Sequence, residues 1–426
     1  MNVVMDLFMW TAYLVSLYFS IFLLLVFLDK KSLFKEQSTI LLKRYPFISI
    51  LVPAYNEEET ILETLQSIYH LDYPKEKMEV IVINDGSTDA TGSVVASYIQ
   101  DNADRAYFRI ISQRNCGKAA ALNRGLQQLK GEFFACLDAD SFVERSTLRK
   151  MVAQYEQEDD LSLAIVTPEM KVAKPENLLQ KIQWLEYIVM IFFGRLSSSL
   201  DSLYVAPGPF SLYRTSIIKQ LQGFDETTLT EDQEIAYRVQ QHQYRIMQCF
   251  DGYVYTTAPK KLKAFYAQRR RWYLGSISCL HQYRGMIGRR RYGDFGVMQL
   301  VKSTLGFILA VTGLGVAGYL LLLPVVNKLK NLFLIHFNIL PYLFNFKINF
   351  TALSLLLINF HKTFILLLLM LLGGFFFYYA HQNAKEKMLR FGWIPLLPYA
   401  VFYYLLKSGI LVLSLVEFSR RKKIKW

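Results

Sequence analysis

The chain has 426 residues, of which 53% are hydrophobic and 15% aromatic, and it carries a net charge of +13. Length allows two or three domains, and the apolar content points to a membrane component. The basic clusters (Lys30-Lys31, Arg269-Arg270-Arg271, Arg289-Arg290-Arg291, Arg420-Arg421-Lys422-Lys423) flank apolar spans without a nucleic-acid motif. They read as attraction to anionic lipid and as topology signals, not as nucleic-acid binding. Cys116, Cys136, Cys249 and Cys279 have no CxxC spacing, which argues against a disulfide framework or a zinc site.

In chain order, residues 7–27 are free of charge and long enough to cross a hydrocarbon layer of ~30 Å. Asp6 precedes them, and Lys30, Lys31 and Lys35 follow, which puts the N-terminus outside and residue 30 onward in the cytoplasm. Residues 45–260 then have the composition of a soluble α/β domain. Residues 47–53 read as a buried strand, with Pro53 ending the ladder. Residues 60–69 are amphipathic and read as a helix. Strands follow at 79–84 and 107–112, a helix at 119–129, and a strand at 131–137. The alternation predicts a mostly parallel sheet with right-handed crossovers.

Beyond residue 293 the chain is apolar again. Residues 303–327 carry no charge, a further span covers roughly 353–380 around His361-Lys362, and another covers roughly 391–418 with Pro395, Pro398 and Lys407 inside it. Four simple spans would leave both ends outside, yet the tail at 420–426 is strongly basic. Either the Pro395–Pro398 region is re-entrant, or residues 331–346 add a crossing or an interfacial helix.

Three predicted strand ends carry polar residues to one edge: Tyr55 with Glu57, Asp85, and Asp138 with Asp140. In open α/β sheets, ligands bind beyond the carboxyl ends of the strands. Asp138 and Asp140 are spaced two apart after the apolar run Phe133-Phe134-Ala135-Cys136-Leu137. Two such acids form a hard-oxygen site for Mg²⁺ or Mn²⁺, which takes further ligands from water and phosphate; alone, they would equally be a solvated turn. Lys118 opens a helix, where the helix dipole disfavours a lysine unless a diphosphate lies nearby.

The motifs Val52-Pro53-Ala54-Tyr55-Asn56-Glu57, Asn84-Asp85-Gly86-Ser87, Asn115-Cys116-Gly117-Lys118-Ala119, Asp138-Ala139-Asp140, Thr230-Glu231-Asp232 and Gln268-Arg269-Arg270-Arg271-Trp272 occur in that order. With the membrane layout around them they resemble the family 2 glycosyltransferases, in particular the membrane-embedded synthase branch. Poly-N-acetylglucosamine, hyaluronan, chitin and cellulose synthases share this motif set. The resemblance implies a GT-A nucleotide-sugar domain (45–260), an N-terminal transmembrane helix (1–30), interfacial helices with the Gln-Arg-Trp motif (261–292), a C-terminal block of about three spans (293–420) and a basic tail (420–426).

In that family Tyr55, Glu57 and Asp85 belong to the uridine-binding loops. Lys118 lies close to the nucleotide or its phosphates. Asp138 and Asp140 hold the diphosphate through Mg²⁺ or Mn²⁺, Asp232 is the general base, and Gln268, Arg271 and Trp272 bind acceptor and diphosphate. The reaction so implied is inverting transfer from a UDP-sugar, UDP-N-acetylglucosamine first, to a polysaccharide or glycolipid acceptor. It would take place at the plasma membrane with a cytoplasmic catalytic domain, contact with membrane lipids and room for accessory subunits. Glu231 reads as an orienting acid. The Pro207-Gly208-Pro209-Phe210 loop and Tyr273-Leu274-Gly275-Ser276 depart from the synthase pattern, which leaves acceptor and processivity open. Transfer of a single sugar to a membrane lipid is the nearest alternative. A non-catalytic transporter or nucleotide-sensing subunit is an alternative of another class, disfavoured by intact Asp138, Asp140, Asp232 and Arg271.

Overall fold

The computed structural model describes residues 3–34, 42–101, 103–334 and 360–420. Helix α1 (Val3–Asp29) leads to β1 (Ile48–Ala54), α2 (Ile61–Tyr69), β2 (Met78–Asn84), α3 (Thr91–Gln100), β3 (Phe108–Ser112), α4 (Lys118–Gln128) and β4 (Phe133–Cys136). The chain continues through β5 (Ser141–Val143), α5 (Thr147–Glu158), β6 (Leu163–Val172), α6 (Leu178–Ser198), β7 (Ser211–Arg214) and α7 (Thr215–Gln220). Helix α8 (Glu231–Gln241), β8 (Arg245–Thr256) and α9 (Leu262–Gln282) complete this part. Three apolar helices follow: α10 (Leu300–Leu334), α11 (Phe360–Asn383) and α12 (Tyr404–Ser419), the last entered through helical turns at Leu396–Pro398 and Tyr399–Tyr403.

The strands form one eight-stranded sheet in the order β3-β2-β1-β4-β7-β6-β8-β5. Strand β1 pairs in parallel with β2 and β4, β2 with β3, and β6 with β8. Strands β7 and β5 run antiparallel to their neighbours. Every residue of β1 is buried because both faces of the sheet are covered. Its alternate residues Ile48, Ile50 and Val52 share a core with Ile61, Leu65 and Ile68 of α2. Leu51 faces the other way, toward Ala121, Leu122 and Leu126 of α4. Each such aliphatic side chain contributes roughly 1.5–3 kcal/mol by leaving water.

Pro53 does not end the β1–β2 ladder, since it lies in register with Ile83. Leu51, two residues earlier, accepts from the Leu137 N–H at 2.9 Å on the β4 side, so Pro53 faces that same flank. Strand β4 is in register with β1 only as far as Leu51. The missing N–H of Pro53 therefore costs no ladder bond.

Four helices among the described residues are long and apolar enough to cross a membrane: Asp6–Asp29, Phe295–Asn331, Phe360–Asn383 and Leu396–Ser419. Residues 335–359, which contain most of the expected extra segment at 331–346 and the start of the span expected at 353, lie outside the described residues, as does most of the basic tail. Lys362, the charge that interrupts the third helix, reaches the Asp6 carboxylate of α1 at 2.5 Å. Ionisable groups within apolar spans persist when paired in this way.

Candidate active site

The parallel register brings Ala54 beside Asn84 and Leu51 beside Cys136. The loops leaving β1, β2 and β4 therefore open at one edge of the sheet. Glu57, Asp85, Asp138 and Asp140 sit on these loops. Lys118 joins them from the first residue of α4, and Glu231 and Asp232 from the first turn of α8.

Asp85 is buried and organises the loop before α4. Its Oδ1 accepts from Gln113 Nε2 at 2.8 Å and from the Cys116 N–H at 3.0 Å, and its Oδ2 from the Gly117 N–H at 2.8 Å. Glu57 Oε2 accepts from the Thr60 hydroxyl at 2.6 Å. Burial raises the Glu57 pKa, the Thr60 bond opposes this, and the nearby charges of Asp140 and Asp138 add to the rise. Tyr55 is 47% exposed at the mouth of the same edge.

Lys118 is the cation at the centre. Its Nζ lies 2.5 Å from Asp138 Oδ1 and 3.0 Å from Glu231 Oε1. Burial disfavours its charge, but Asp138, Glu231 and Asp232 outweigh that and lift its pKa. The loop at Gly208 closes over this pair. A Cβ there would lie 2.6 Å from Lys118 Nζ and 3.2 Å from Asp138 Oδ2, so any larger residue would have to push the lysine aside. Phe210 in the same loop has φ +65°, a left-handed conformation costly for a bulky residue and of the kind that gathers at functional sites.

Asp140 Oδ1 accepts from the Ser141 hydroxyl at 3.0 Å. Burial and the charge of Asp138 raise its pKa. Asp232 Oδ1 accepts from the Gln233 N–H at 2.9 Å. Burial and Glu231 push the Asp232 pKa up to about 6 against the pull of Lys118 and Arg271. These acids crowd in excess over Lys118, an arrangement that added positive charge would relieve. No group of three or more His, Cys, Asp or Glu among the described residues forms a metal cage. Asp138 and Asp140 nevertheless fit a Mg²⁺- or Mn²⁺-type ion, which needs only one or two carboxylates when water and phosphate complete its shell.

Helix α9 carries Gln268, Arg271 and Trp272. Arg271 is close enough to Asp232 to bias its ionisation. Trp272 belongs to the apolar cluster around α6 and the membrane helices, and the Arg269 guanidinium lies 4.1 Å from its ring centroid. Among the described residues Gln268 Oε1 is buried without a hydrogen-bond partner. Helix α9 sits tightly on the Thr230-Glu231-Asp232 motif. A Cβ on Gly275 would fall 2.1 Å from Thr230 Oγ1, and the Ser276 hydroxyl donates to Gln233 Oε1 at 2.8 Å.

Sequence reasoning assigned Glu231 only an orienting role, whereas the geometry makes it a direct partner of Lys118. It did not mark Gly208 or Gly275 as contact residues, and only three-dimensional proximity identifies them.

Residues 49–222 match the family model described as Glycosyl transferase family 2. Over 234 residues the chain is 32% identical to a poly-beta-1,6-N-acetyl-D-glucosamine synthase of Staphylococcus aureus (strain COL), covering 55% of each protein. A poly-beta-1,6-N-acetyl-D-glucosamine synthase of Staphylococcus epidermidis is 31% identical over the same length and share. The matched region thus spans about half the length of these curated relatives. A solved mannosyltransferase from Pyrobaculum calidifontis, in complex with GDP-Man and Mn²⁺, superposes with a TM-score of 0.51 at 23% identity, covering 65% of this chain and 75% of that one. Sheet order and superposition agree on the GT-A fold, and residues 49–222 are similar to the family 2 glycosyltransferases.

Proposed function

We propose that the chain is an inverting, metal-dependent, membrane-integral glycosyltransferase that uses a UDP-sugar to extend a β-linked polysaccharide. The observation that carries this reading is the cluster of Lys118, Asp138, Asp140, Glu231 and Asp232 at the carboxyl edge of the parallel strands. The names of the staphylococcal relatives support N-acetylglucosamine as the sugar and a polymer as the product.

Asp232 is assigned as the base. A carboxylate with a pKa near 6 is mostly ionised at neutral pH yet basic enough to take a proton from an acceptor hydroxyl. The acceptor oxygen then bonds to sugar C1 as the bond from C1 to the diphosphate oxygen breaks. The proton passes to Asp232 and the electron pair leaves on UDP. Attack opposite the leaving group inverts C1, so an α-linked donor gives a β-linkage. Asp138 and Asp140 would hold a divalent ion, whose positive charge would stabilise the departing diphosphate. Lys118 and Arg271 add fixed positive charge at the same place, and arginine's planar fork suits phosphate oxygens. Asp85 shapes the loop that would receive the nucleotide, and Tyr55 offers an exposed ring at its mouth. Helices α1, α10 and α11 would line the product's route across a plasma membrane.

Purified protein supplied with separate UDP-sugars and Mg²⁺ or Mn²⁺ tests the reading. Release of UDP with a high-mass polymer, digestible by a β-specific glycosidase, is the expected result. A lipid bearing a single sugar would replace the synthase reading with single transfer. Nucleotide binding without turnover for any sugar would replace it with a sensing role.

A further inference from the structure

The helix spanning Leu396–Ser419 has the length and hydropathy of a fourth crossing. It touches α10, but it is α9 that it follows. Near its start, Tyr403 lies against Phe265 of α9 with centroids 5.8 Å apart. At its end, Phe418 lies against His281 of α9, also 5.8 Å apart. Both ends of α9 are tied to the catalytic domain. Beside its first turn, Asn177 Nδ2 donates to the Lys260 carbonyl at 2.9 Å. Just past its last turn, the Tyr283 hydroxyl donates to Glu234 of α8 at 2.6 Å. A helix that follows α9 from end to end stays at the level of that domain.

Charge reinforces the arrangement. Glu186 of α6 is buried and accepts from Lys407 Nζ at 2.6 Å, from the Tyr403 hydroxyl at 2.6 Å and from the Arg269 guanidinium. One carboxylate thus binds the last helix to α9. Further along, Arg270 Nε donates to Glu417 Oε2 at 2.7 Å. Arg269 and Arg270 immediately precede Arg271 and Trp272. The opposite side of the last helix is apolar and open, with Phe402 63%, Leu413 56% and Val416 42% exposed, as suits contact with lipid.

The other spans are consistent with this. Phe27 at the end of α1 packs on Phe192 of α6, and Asn383 at the end of α11 accepts from Arg195 of α6 through its carbonyl at 3.1 Å. Helices α1 and α11 therefore both run toward the catalytic domain, while α10 starts there, next to the packing of Phe295 on Tyr237. The three crossings among the described residues leave the chain on the catalytic side before residue 396. A last helix lying along α9 keeps Arg420, the start of a basic stretch of sequence, on that side, in accord with the distribution of positive charge.

We propose that residues 396–419 form an interfacial strut rather than a membrane crossing, and that Lys407 and Glu417 are positioning residues that hold the Arg271–Trp272 segment over the active site. The strut is a statement about topology; the positioning role rests on the glycosyltransferase reading above.

Two measurements on the full-length protein in bacteria test the two halves. For topology, green fluorescent protein or alkaline phosphatase is fused after Trp426. Fluorescence with an inactive phosphatase is expected, and an active phosphatase on a dark fluorescent fusion would overturn the strut whatever the enzyme's activity. For positioning, Lys407→Met is compared with Lys407→Arg by steady-state UDP release and by calorimetric UDP affinity. Lys407→Met should lower kcat by at least about tenfold with UDP affinity within about twofold, and Lys407→Arg should recover most of the loss. Unchanged kcat in Lys407→Met would overturn the positioning role. Should that variant lose its fold, Glu417→Gln breaks the more exposed pair with Arg270, and the same drop in kcat at unchanged UDP affinity is required of it.

Discussion

Asp232 combines two consequences in one side chain. Burial and Glu231 raise its pKa to about 6, so the folded protein binds this proton more tightly than the unfolded chain does. The stabilisation from that proton is complete below the unfolded value of about 3.9 and is lost as pH rises through about 6. At pH 8 both states are ionised and the folded state carries the full cost. Asp232→Asn should therefore raise the thermal midpoint at pH 8, by up to about 3 kcal/mol in stability, and lose that advantage below pH 5. The same variant should lower transfer by about 10²–10⁴-fold with UDP affinity unchanged. Substantial turnover would remove Asp232 from the role of base. Gly208 poses a steric question instead. Gly208→Ala should displace Lys118 from Asp138 and weaken UDP binding at least about tenfold without lowering the thermal midpoint by more than about 1 kcal/mol, since the collision is with a side-chain end at an open edge. Unaltered UDP affinity in that variant would show that the close approach is not used.

Helix α9 is the element on which the site depends without being part of the sheet. Its Gly275 faces Thr230 so closely that any side chain must separate α9 from the start of α8. Gly275→Ala is predicted to reduce kcat by at least about tenfold, because Arg271 moves away from Asp232 by a fraction of a side-chain length. Thr230→Ala in the same chain removes the colliding Oγ1 and Cγ2 and should restore part of the rate. A double variant no better than the single one would place the effect elsewhere. The pattern Gln268-Arg269-Arg270-Arg271-Trp272 reads as three equivalent arginines, but the helix gives them different surroundings. Arg269 is buried on Glu186, Arg270 meets Glu417, and the charge of Arg271 is felt by Asp232.

The sheet-bearing domain and the apolar helices are joined by buried charge as well as by apolar packing. Arg195 Nε donates to the fully buried Glu169 at 2.5 Å and, through its other nitrogens, to the side chain and carbonyl of Asn383 at the end of α11. Lys171 reaches the Ala384 carbonyl at 2.7 Å. Removing one member of a buried ion pair strands the other, so Arg195→Met should destabilise the protein by about 3–5 kcal/mol in detergent, measured as the thermal midpoint of unfolding. Loss of less than about 1 kcal/mol would mean that Glu169 finds another partner or takes up a proton.

Much of this molecule could be read from one dimension. A strand buried on both faces must be apolar or have its polar groups paired, and residues 48–54 are apolar but for Ser49, whose hydroxyl donates to Glu79 at 2.6 Å; a chain passing through hydrocarbon must be apolar over some twenty residues, and residues 7–27 are. The strand-end acids were legible for the same reason, since a polar residue directly after a buried run has to lie at a sheet edge. What the linear pattern leaves undecided is whom a charge meets. Lys407 looks like an intrusion into an apolar span until Glu186, 221 positions earlier in the chain, is seen beside it. Hydropathy measures the cost of leaving water, and a crossing helix and a helix lying along a protein surface at the interface avoid that cost equally well. Only tertiary contacts separate the two, because only they say which face of the last helix meets α9 and which is left to lipid.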